Sequence, residues 1–487
     1  MKTRHYIIVL FFGGCILSSL TACKKALDIT QESEISSNSM WKSQGDAEAA
    51  VNGIYVQLRA ALGANYANWG DYRSGLYGPG KIADVGQVNI FNNTIFRDNE
   101  GTDWTLLYTT INNCNLILKY TPGISFSSDA GKNEVMANAY FVRAFCYFQI
   151  ARIWGDAPVV TSGFESDKQD DLLPYRKPAL EVFAQVETDV NQAVNLMPPG
   201  VNKKKKASKG SVNMLKADYY LWKAKRLNGG NSALEIANKA IDEVFTSGYS
   251  LSPSFSSVFG VANESGPEII FSINLLRDEF TGGYPSLYLI PTQYVINKAL
   301  IENPIKIGSA QQYISVTDAY ENLIYANASD TRSKTSVMIY QEGTEKHRWI
   351  NKLSGEWVNN TRFFSSDIII YRLSEAYLMR AEILNALDKP QEAMIPLNRI
   401  AERAYGVPDF YPAGLGKTAI DNAIINETLK EFVAEGKSWW AFVRFGVAFQ
   451  RVPGLIGKET KTNILLWPIT SASINNNPNI KQTEGFN

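Results

Sequence analysis

Apolar residues along this chain fall mostly at helical spacing. Ala233, Ile236, Ala237, Ala240, Ile241 and Val244 recur three and four positions apart and so share one face of a helix. Ser232 and Glu235 fit a capping box at its start, and Gly248 stands where it should end. Upstream, Val212, Leu215, Tyr219 and Trp222 mark a partner helix, with Asn228, Gly229 and Gly230 as the turn. The plan repeats. Ile370, Leu373, Tyr377, Ala381 and Leu384 line one helix, Asp388-Lys389-Pro390 turns the chain, and 391–405 carries another. Pro390 suits a first helical turn, whereas Pro396 should kink that helix or delay its start. Residues 134–154 with 178–197 form a third pair, and 41–62 with 104–118 a fourth. Helix pairs of about 34 residues are the tetratricopeptide pattern. Here they are unevenly spaced around two long inserts, at about 63–103 and 250–362. The first insert is rich in Gly, Asn and aromatics; the second is more strand-like, with a short strand expected over 268–273. Inserts of this length that keep aromatics are expected to be ordered and functional. The fold class is therefore mainly α: a tetratricopeptide-like helix-pair scaffold whose loop-rich inserts carry a few short strands.

The first residues break the pattern. Lys2, Arg4 and His5 precede a nearly unbroken apolar run from Tyr6 to Leu17, as in a secretory leader, and the run is short for a membrane span. Leu20-Thr21-Ala22-Cys23 follows and resembles a bacterial lipobox, so 1–22 is expected to be cleaved and Cys23 lipidated. Ordinary cleavage near Ala22, leaving Cys23 a free thiol, is the competing reading. Several acyl chains on one residue make a stable membrane anchor. Residues 24–39 are polar and aperiodic, so 23–39 reads as lipidated Cys and tether, and 40–487 as a single domain. Cys114 and Cys146 then remain, both expected to be buried small hydrophobes rather than a redox pair.

Composition narrows the chemistry. The 487 residues include 48 Lys and Arg against 48 Asp and Glu, which gives no electrostatic case for nucleic acid. Only His5 and His347 are present, and the first lies in the leader. That excludes a two-His metal motif and leaves little room for a His-based triad. Against this stand 10 Trp, 24 Tyr and 23 Phe, so the chain is poor in catalytic groups and rich in flat apolar surface.

Five segments, in order, resemble the SusD-like (RagB/SusD) outer-membrane lipoproteins of Bacteroidetes. Residues 139–145 running into Arg152-Ile153-Trp154-Gly155-Asp156-Ala157-Pro158 are similar to that family's aromatic-rich helix and Gly-Asp-x-Pro turn. Ser208-Lys209-Gly210-Ser211 resembles the start of its next repeat, and 367–403, with Arg380-Ala381-Glu382, its late helix pair. Asn426-Glu427, then Glu435-Gly436-Lys437-Ser438-Trp439-Trp440 and Val443-Arg444-Phe445-Gly446, are similar to its acidic and aromatic signature. Trp467-Pro468-Ile469, Asn477-Pro478, Gln482 and Gly485-Phe486 match its close. Thr428, Lys437 and Ala441 depart from the usual Arg, Arg and Asp, and small packing rearrangements are expected there. The resemblance implies a lipoprotein at the cell surface that binds a glycan, or in some members a peptide, over a SusC-like TonB-dependent outer-membrane transporter. It implies no cofactor and no bond-making chemistry; no metal ligands are singled out, and the presence of a structural metal ion stays open. Lys24-Lys25 lacks the acidic run tied to surface export, so surface display rests on the resemblance alone. A surface-anchored glycoside hydrolase and a peptide-binding or purely scaffolding member of the fold are the alternatives.

Sugars offer C–H patches to aromatic faces and hydroxyls to amides and charges. The first insert supplies Trp69, Tyr72 and Phe91, the rings expected to be exposed, with Asp84, Asn89, Asn92 and Arg97 as polar partners. The second supplies Tyr284, Tyr288, Trp349 and Trp357. Burial against a helix is the competing role for each ring. The run Lys203–Lys206 reads as a solvated loop, His347 as an exposed residue, and Trp439-Trp440 as core. Asp170-Asp171 and Asp278-Glu279 are adjacent acids, not the opposed pair a glycosidase needs.

Overall fold

The computed structural model describes residues 40–200, 202–279, 285–294, 311–353, 355–359 and 361–486. The leader, Cys23, the tether and Tyr284 lie outside the described residues; Ser43–Asn487 packs as one unit. The first half holds helices α1 (Gln44–Leu62), α2 (Asn65–Gly70), α3 (Val85–Phe91), α4 (Thr105–Tyr120), α5 (Asp129–Trp154), α6 (Ala179–Leu196), α7 (Lys209–Arg226) and α8 (Gly230–Phe245). Next come α9 (Asp318–Ile324), α10 (Ser333–Ser336), α11 (Leu373–Ala386), α12 (Pro390–Tyr405), α13 (Lys417–Glu431), α14 (Ser438–Phe445), α15 (Ala448–Arg451) and α16 (Ser471–Asn476). The strands are β1 (Tyr77–Pro79), β2 (Ile269–Ile273), β3 (Ile314–Val316), β4 (Val337–Glu342), β5 (Glu345–Ile350), β6 (Glu356–Val358), β7 (Thr361–Phe363) and β8 (Ile368–Arg372).

The four helix pairs read from the periodicity are present: α1 on α4, α5 on α6, α7 on α8, and α11 on α12. Neighbouring pairs stack through α6 on α7 and α8 on α11, with α13 added against α11. The spine is α5, whose residues are all buried from Phe141 to Trp154. A helix apolar all round must be enclosed by others. Of its two deep cations, Arg143 and Arg152, the first is closely matched: Arg143 donates to Asp189 of α6 at 2.8 and 2.6 Å and to Asn115 of α4 at 2.7 Å. That single guanidinium sets α4, α5 and α6 against one another, and a bidentate pair fixes direction as well as distance. Cys114 and Cys146 are buried and unbridged, and Trp439 and Trp440 are core, as read from the sequence.

Three details correct the sequence reading. First, α8 starts at Gly230 with no side-chain cap, so Ser232 and Glu235 form no capping box. Gly230 adopts a positive φ of 56°, which lets the chain turn into the helix before Ser232 is reached. Second, α12 begins at Pro390 and continues through Pro396, so its start is not delayed. Pro396 gives up one backbone bond, and its ring is buried with the apolar face of the helix. Third, Lys203–Lys206 is not a solvated loop. Lys203 pairs with Glu134, Lys204 donates to the Ile269 carbonyl at 2.6 Å, Lys205 pairs with Asp367, and Lys206 donates to Asn52. The run bolts the start of α7 to the strand that opens the second insert. At the family departures, Lys437 is paired with Glu375 at 2.8 Å and donates to the Ile370 carbonyl at 2.8 Å, and Ala441 is buried.

Small antiparallel sheets tie the inserts down. Strand β1 of the first insert pairs with β3 of the second, in the register Tyr77 to Val316. Strand β2 pairs with β8, Ile269 opposite Arg372, where the second insert leaves and rejoins the helices. Hairpins β4–β5 and β6–β7 complete that insert.

Candidate ligand-binding cleft

The aromatics expected on the surface are buried instead. Trp69, Tyr72, Phe91, Tyr288 and Trp349 are all below a tenth exposed. Tyr72 packs edge-on against Tyr77, Phe91 and Tyr288 at 5.6, 5.9 and 6.3 Å, and its hydroxyl lies 2.6 Å from that of Tyr288. Trp69 donates to the Gly101 carbonyl at 2.8 Å and meets Trp154 at 5.7 Å. Trp349 packs with Leu289, Ile290 and Phe364. The physical reason is economy of apolar surface. An aromatic ring buries roughly 150–250 Å², and loops with few aliphatic residues must use their own rings as core. The Tyr72–Tyr288 contact docks one insert on the other, Trp69 packs on α5, and Trp349 packs with Leu289 and Ile290 of its own insert.

The polar candidates divide. Asp84 is the N-cap of α3, accepting from Gln87 N at 3.0 Å while the Gln87 side chain returns the bond. Asn89 accepts from the Thr94 hydroxyl at 3.0 Å. Asn92 and Arg97 are exposed, with Arg97 3.9 Å from Asp98. His347 is 1% exposed, a correction to its reading as a surface residue: its Nε2 lies 3.0 Å from Glu342, and its ring stacks on Tyr340. Strand alternation explains it, since His347 and Trp349 share the inner face of β5. Among the described residues no group of three or more His, Cys, Asp or Glu is placed to hold a metal ion.

One aromatic from the sequence reading does line open space. Trp357 of β6 borders a cleft of about 560 Å³ with Phe259, Met338, Lys334, Asn351 and Ser256. Hairpin pairing sets Trp357 opposite Arg362, whose guanidinium lies 5.6 Å from the indole centroid. Trp357, Phe259, Met338 and Asn351 are half-buried, and Lys334 and Ser256 are exposed. The cleft thus combines two ring faces with an amide, a hydroxyl and an ammonium. Periodicity could not single out Trp357 from Trp349; only the facing of each hairpin does so.

The floor of this cleft is held by buried ions. Lys352 is 2% exposed and donates to the Glu431 carbonyl at 2.7 Å and the Glu435 carboxylate at 2.6 Å. Burial pulls its ammonium down to about 8, with Glu435 opposing that shift. Behind it, Arg372 pairs with Glu268, Glu431 and Glu435 at 3.0, 2.6 and 2.8 Å, and Arg403 bridges Glu268 and Glu431. Burial would raise Glu431, but Arg403, Arg372 and Arg332 together hold its carboxyl well below the usual range. These pairs lock the root of the second insert to α12 and α13, so the cleft stands on a rigid base.

Residues 27–221 match a family described as starch-binding and associating with the outer membrane, and 308–486 match the SusD family. A SusD-like protein of Formosa agariphila is 26% identical over 517 aligned positions, covering 99% of each chain. The starch-binding protein SusD of Bacteroides thetaiotaomicron is 23% identical across 79% of this chain and 78% of its own. Among solved structures, NanU of Bacteroides fragilis superposes with a TM-score of 0.81 at 26% identity, over 94% of this chain and all of its own.

Proposed function

The chain belongs to the SusD/RagB family of glycan-binding nutrient-uptake proteins, and on that premise we propose that it captures an oligosaccharide or polysaccharide for import. It does so as a lipoprotein anchored through Cys23, facing the cell exterior, and it passes ligand to a SusC-like TonB-dependent transporter. The first ligand class to test is an α-glucan, because the SusD of Bacteroides thetaiotaomicron is a starch-binding protein. The observation that carries the reading to residues is the cleft at Trp357, where ring faces and hydrogen-bonding groups share one open space. A sugar ring stacks on Trp357 or Phe259 while its hydroxyls meet Asn351, Ser256 and Lys334. The reading asks only for binding at this cleft, with no bond made or broken.

The test uses the chain from Cys23 onward and a broad glycan panel read by calorimetry. Trp357→Ala should weaken the glycan that binds by about tenfold, the loss of roughly 1.4 kcal/mol of ring contact. An unchanged affinity removes the cleft from the proposal. Release of shorter products during incubation would instead favour a surface glycosidase.

A further inference from the structure

A second and larger cleft, of about 760 Å³, lies where α5 and α7 end and the C-terminal segment 462–484 passes. Its volume is within the range of small-molecule sites. Trp222 and Trp440 lie in its floor, both nearly buried, and Arg152 sits between them at 5.6 and 4.6 Å from their rings. Arg152 is 6% exposed, its Nε has no acceptor among the described residues, and its nearest carboxylate, Asp218, is 3.8 Å away. At the rim stands Tyr175, 67% exposed, with no hydrogen bond or ring contact among the described residues.

The charges here are unevenly matched. Three cations end α7. Lys223 pairs with Glu187 at 2.6 Å and Lys225 with Glu382 at 3.0 Å, whereas Arg226 has no partner among the described residues. The Lys481 ammonium, also on this cleft, likewise has none. The lining carries two exposed carboxylates, Asp156, which accepts from Ala179 N at 2.8 Å, and Glu484, which accepts from Asn463 at 3.3 Å, and they are outnumbered by Arg152, Arg176, Arg226 and Lys481. The negative end of the α5 dipole is met internally, since the Trp154 carbonyl accepts from Arg176 and the Ile153 carbonyl from Trp467 N. What remains open is positive charge beside a free aromatic face, on a chain whose overall charge is balanced.

We propose that this cleft binds a carboxylate-bearing saccharide, its ring on Tyr175 and its carboxylate against Arg226 and Lys481. The proposal rests on the reading of the chain as a glycan binder and adds a second subsite with its own ligand class.

The probes are trimers of galacturonic, glucuronic and mannuronic acid and their methyl esters, titrated into the chain from Cys23 onward. Intrinsic fluorescence of Trp222 and Trp440 and calorimetry give the affinities. At least one acid trimer should bind about tenfold or more tighter than its ester, because hydrogen bonds to a charged group are the stronger class. Arg226→Ala and Tyr175→Ala should each weaken that trimer about tenfold with the melting temperature unchanged, and added salt should weaken the wild type. Absence of binding by all three acids, equal affinity for acid and ester, or no effect of Arg226→Ala overturns the proposal. If neutral glycans still bind through Trp357 in that event, the functional reading stands and only this subsite falls. A chain that binds no glycan of any kind sinks both.

Discussion

Among single residues, Glu431 is the most constrained. It accepts from Arg372 at 2.6 Å, pairs with Arg403, and lies 3.3 Å from Arg332, all in the dry interior. Replacing it by Gln leaves those guanidiniums short of a counter-charge, which should cost about 3–5 kcal/mol. The sign of the pH effect follows from its held-down carboxyl. Glu431, and likewise Glu435 and Glu382, each opposed by burial but overcome by adjacent cations, release protons in the fold that the unfolded chain still binds. Their stabilisation is complete above the ordinary Glu value of 4.5 and drains away as the pH falls below it. Between pH 7 and pH 3 the stability that wild type holds over Glu431→Gln, read as the gap between their urea midpoints, should therefore shrink; a constant gap would refute the assignment. None of this was legible in the sequence, where Glu431 is one acid among many. The same holds for the rings. Trp69 and Trp357 are equivalent letters in aromatic-rich inserts, yet one is core and the other borders a cleft. His347 was the missed chance, because alternation along Glu345–Ile350 already placed it on the side of Trp349.

The helices were the readable part, because their apolar stripes are local and long. The pairs α7–α8 and α11–α12 appear within a few residues of their apolar patterns. Junctions between elements were not readable, since they depend on partners hundreds of residues apart. The entry to α14 shows this. Asp71 of the first insert accepts from Gly436 N at 2.7 Å and from Lys437 N, Ser438 N and the Ser438 hydroxyl at 3.1, 3.1 and 2.7 Å. It thus caps α14 from across the molecule. This contact needs two glycines. A Cβ on Gly70 would run into the Gly436 carbonyl, and Gly436 has φ 71° with Tyr66 ring carbon 2.7 Å from where its own Cβ would stand. Gly70→Ala should accordingly cost at least about 1–3 kcal/mol, the range for overpacking. Gly53 is the internal contrast, mid-helix in α1 with nothing within 4 Å of an added Cβ. Gly53→Ala should stabilise by about 0.5–1 kcal/mol. Thermal midpoints of the two variants should move in opposite directions; a shared direction would mean the α2–α14 approach is loose.

For the whole molecule, the question is whether scaffold and inserts unfold together. Two-state behaviour is the usual expectation for domains under about 150 residues, and this unit is far longer. Three ties argue for a single transition all the same. The inserts are joined to each other by β1–β3 and the Tyr72–Tyr288 junction. The first insert is fixed to α14 through Asp71. The second is rooted on α12 and α13 by Arg372, Arg403 and Lys352. Opening any one of them strands buried charge or aromatic surface in the others, so partial unfolding has no low-cost intermediate. Far-UV circular dichroism, which reports the helices, and Trp357 emission, isolated by difference against Trp357→Phe, should give coincident urea transitions. Arg372→Met removes the central cation of the root and leaves Glu268 and Glu435 underpaired, so the insert transition should move to lower urea ahead of the helices. Separate transitions already in the wild type would instead make the inserts independent modules, and the rigid base claimed for the Trp357 cleft would go with them.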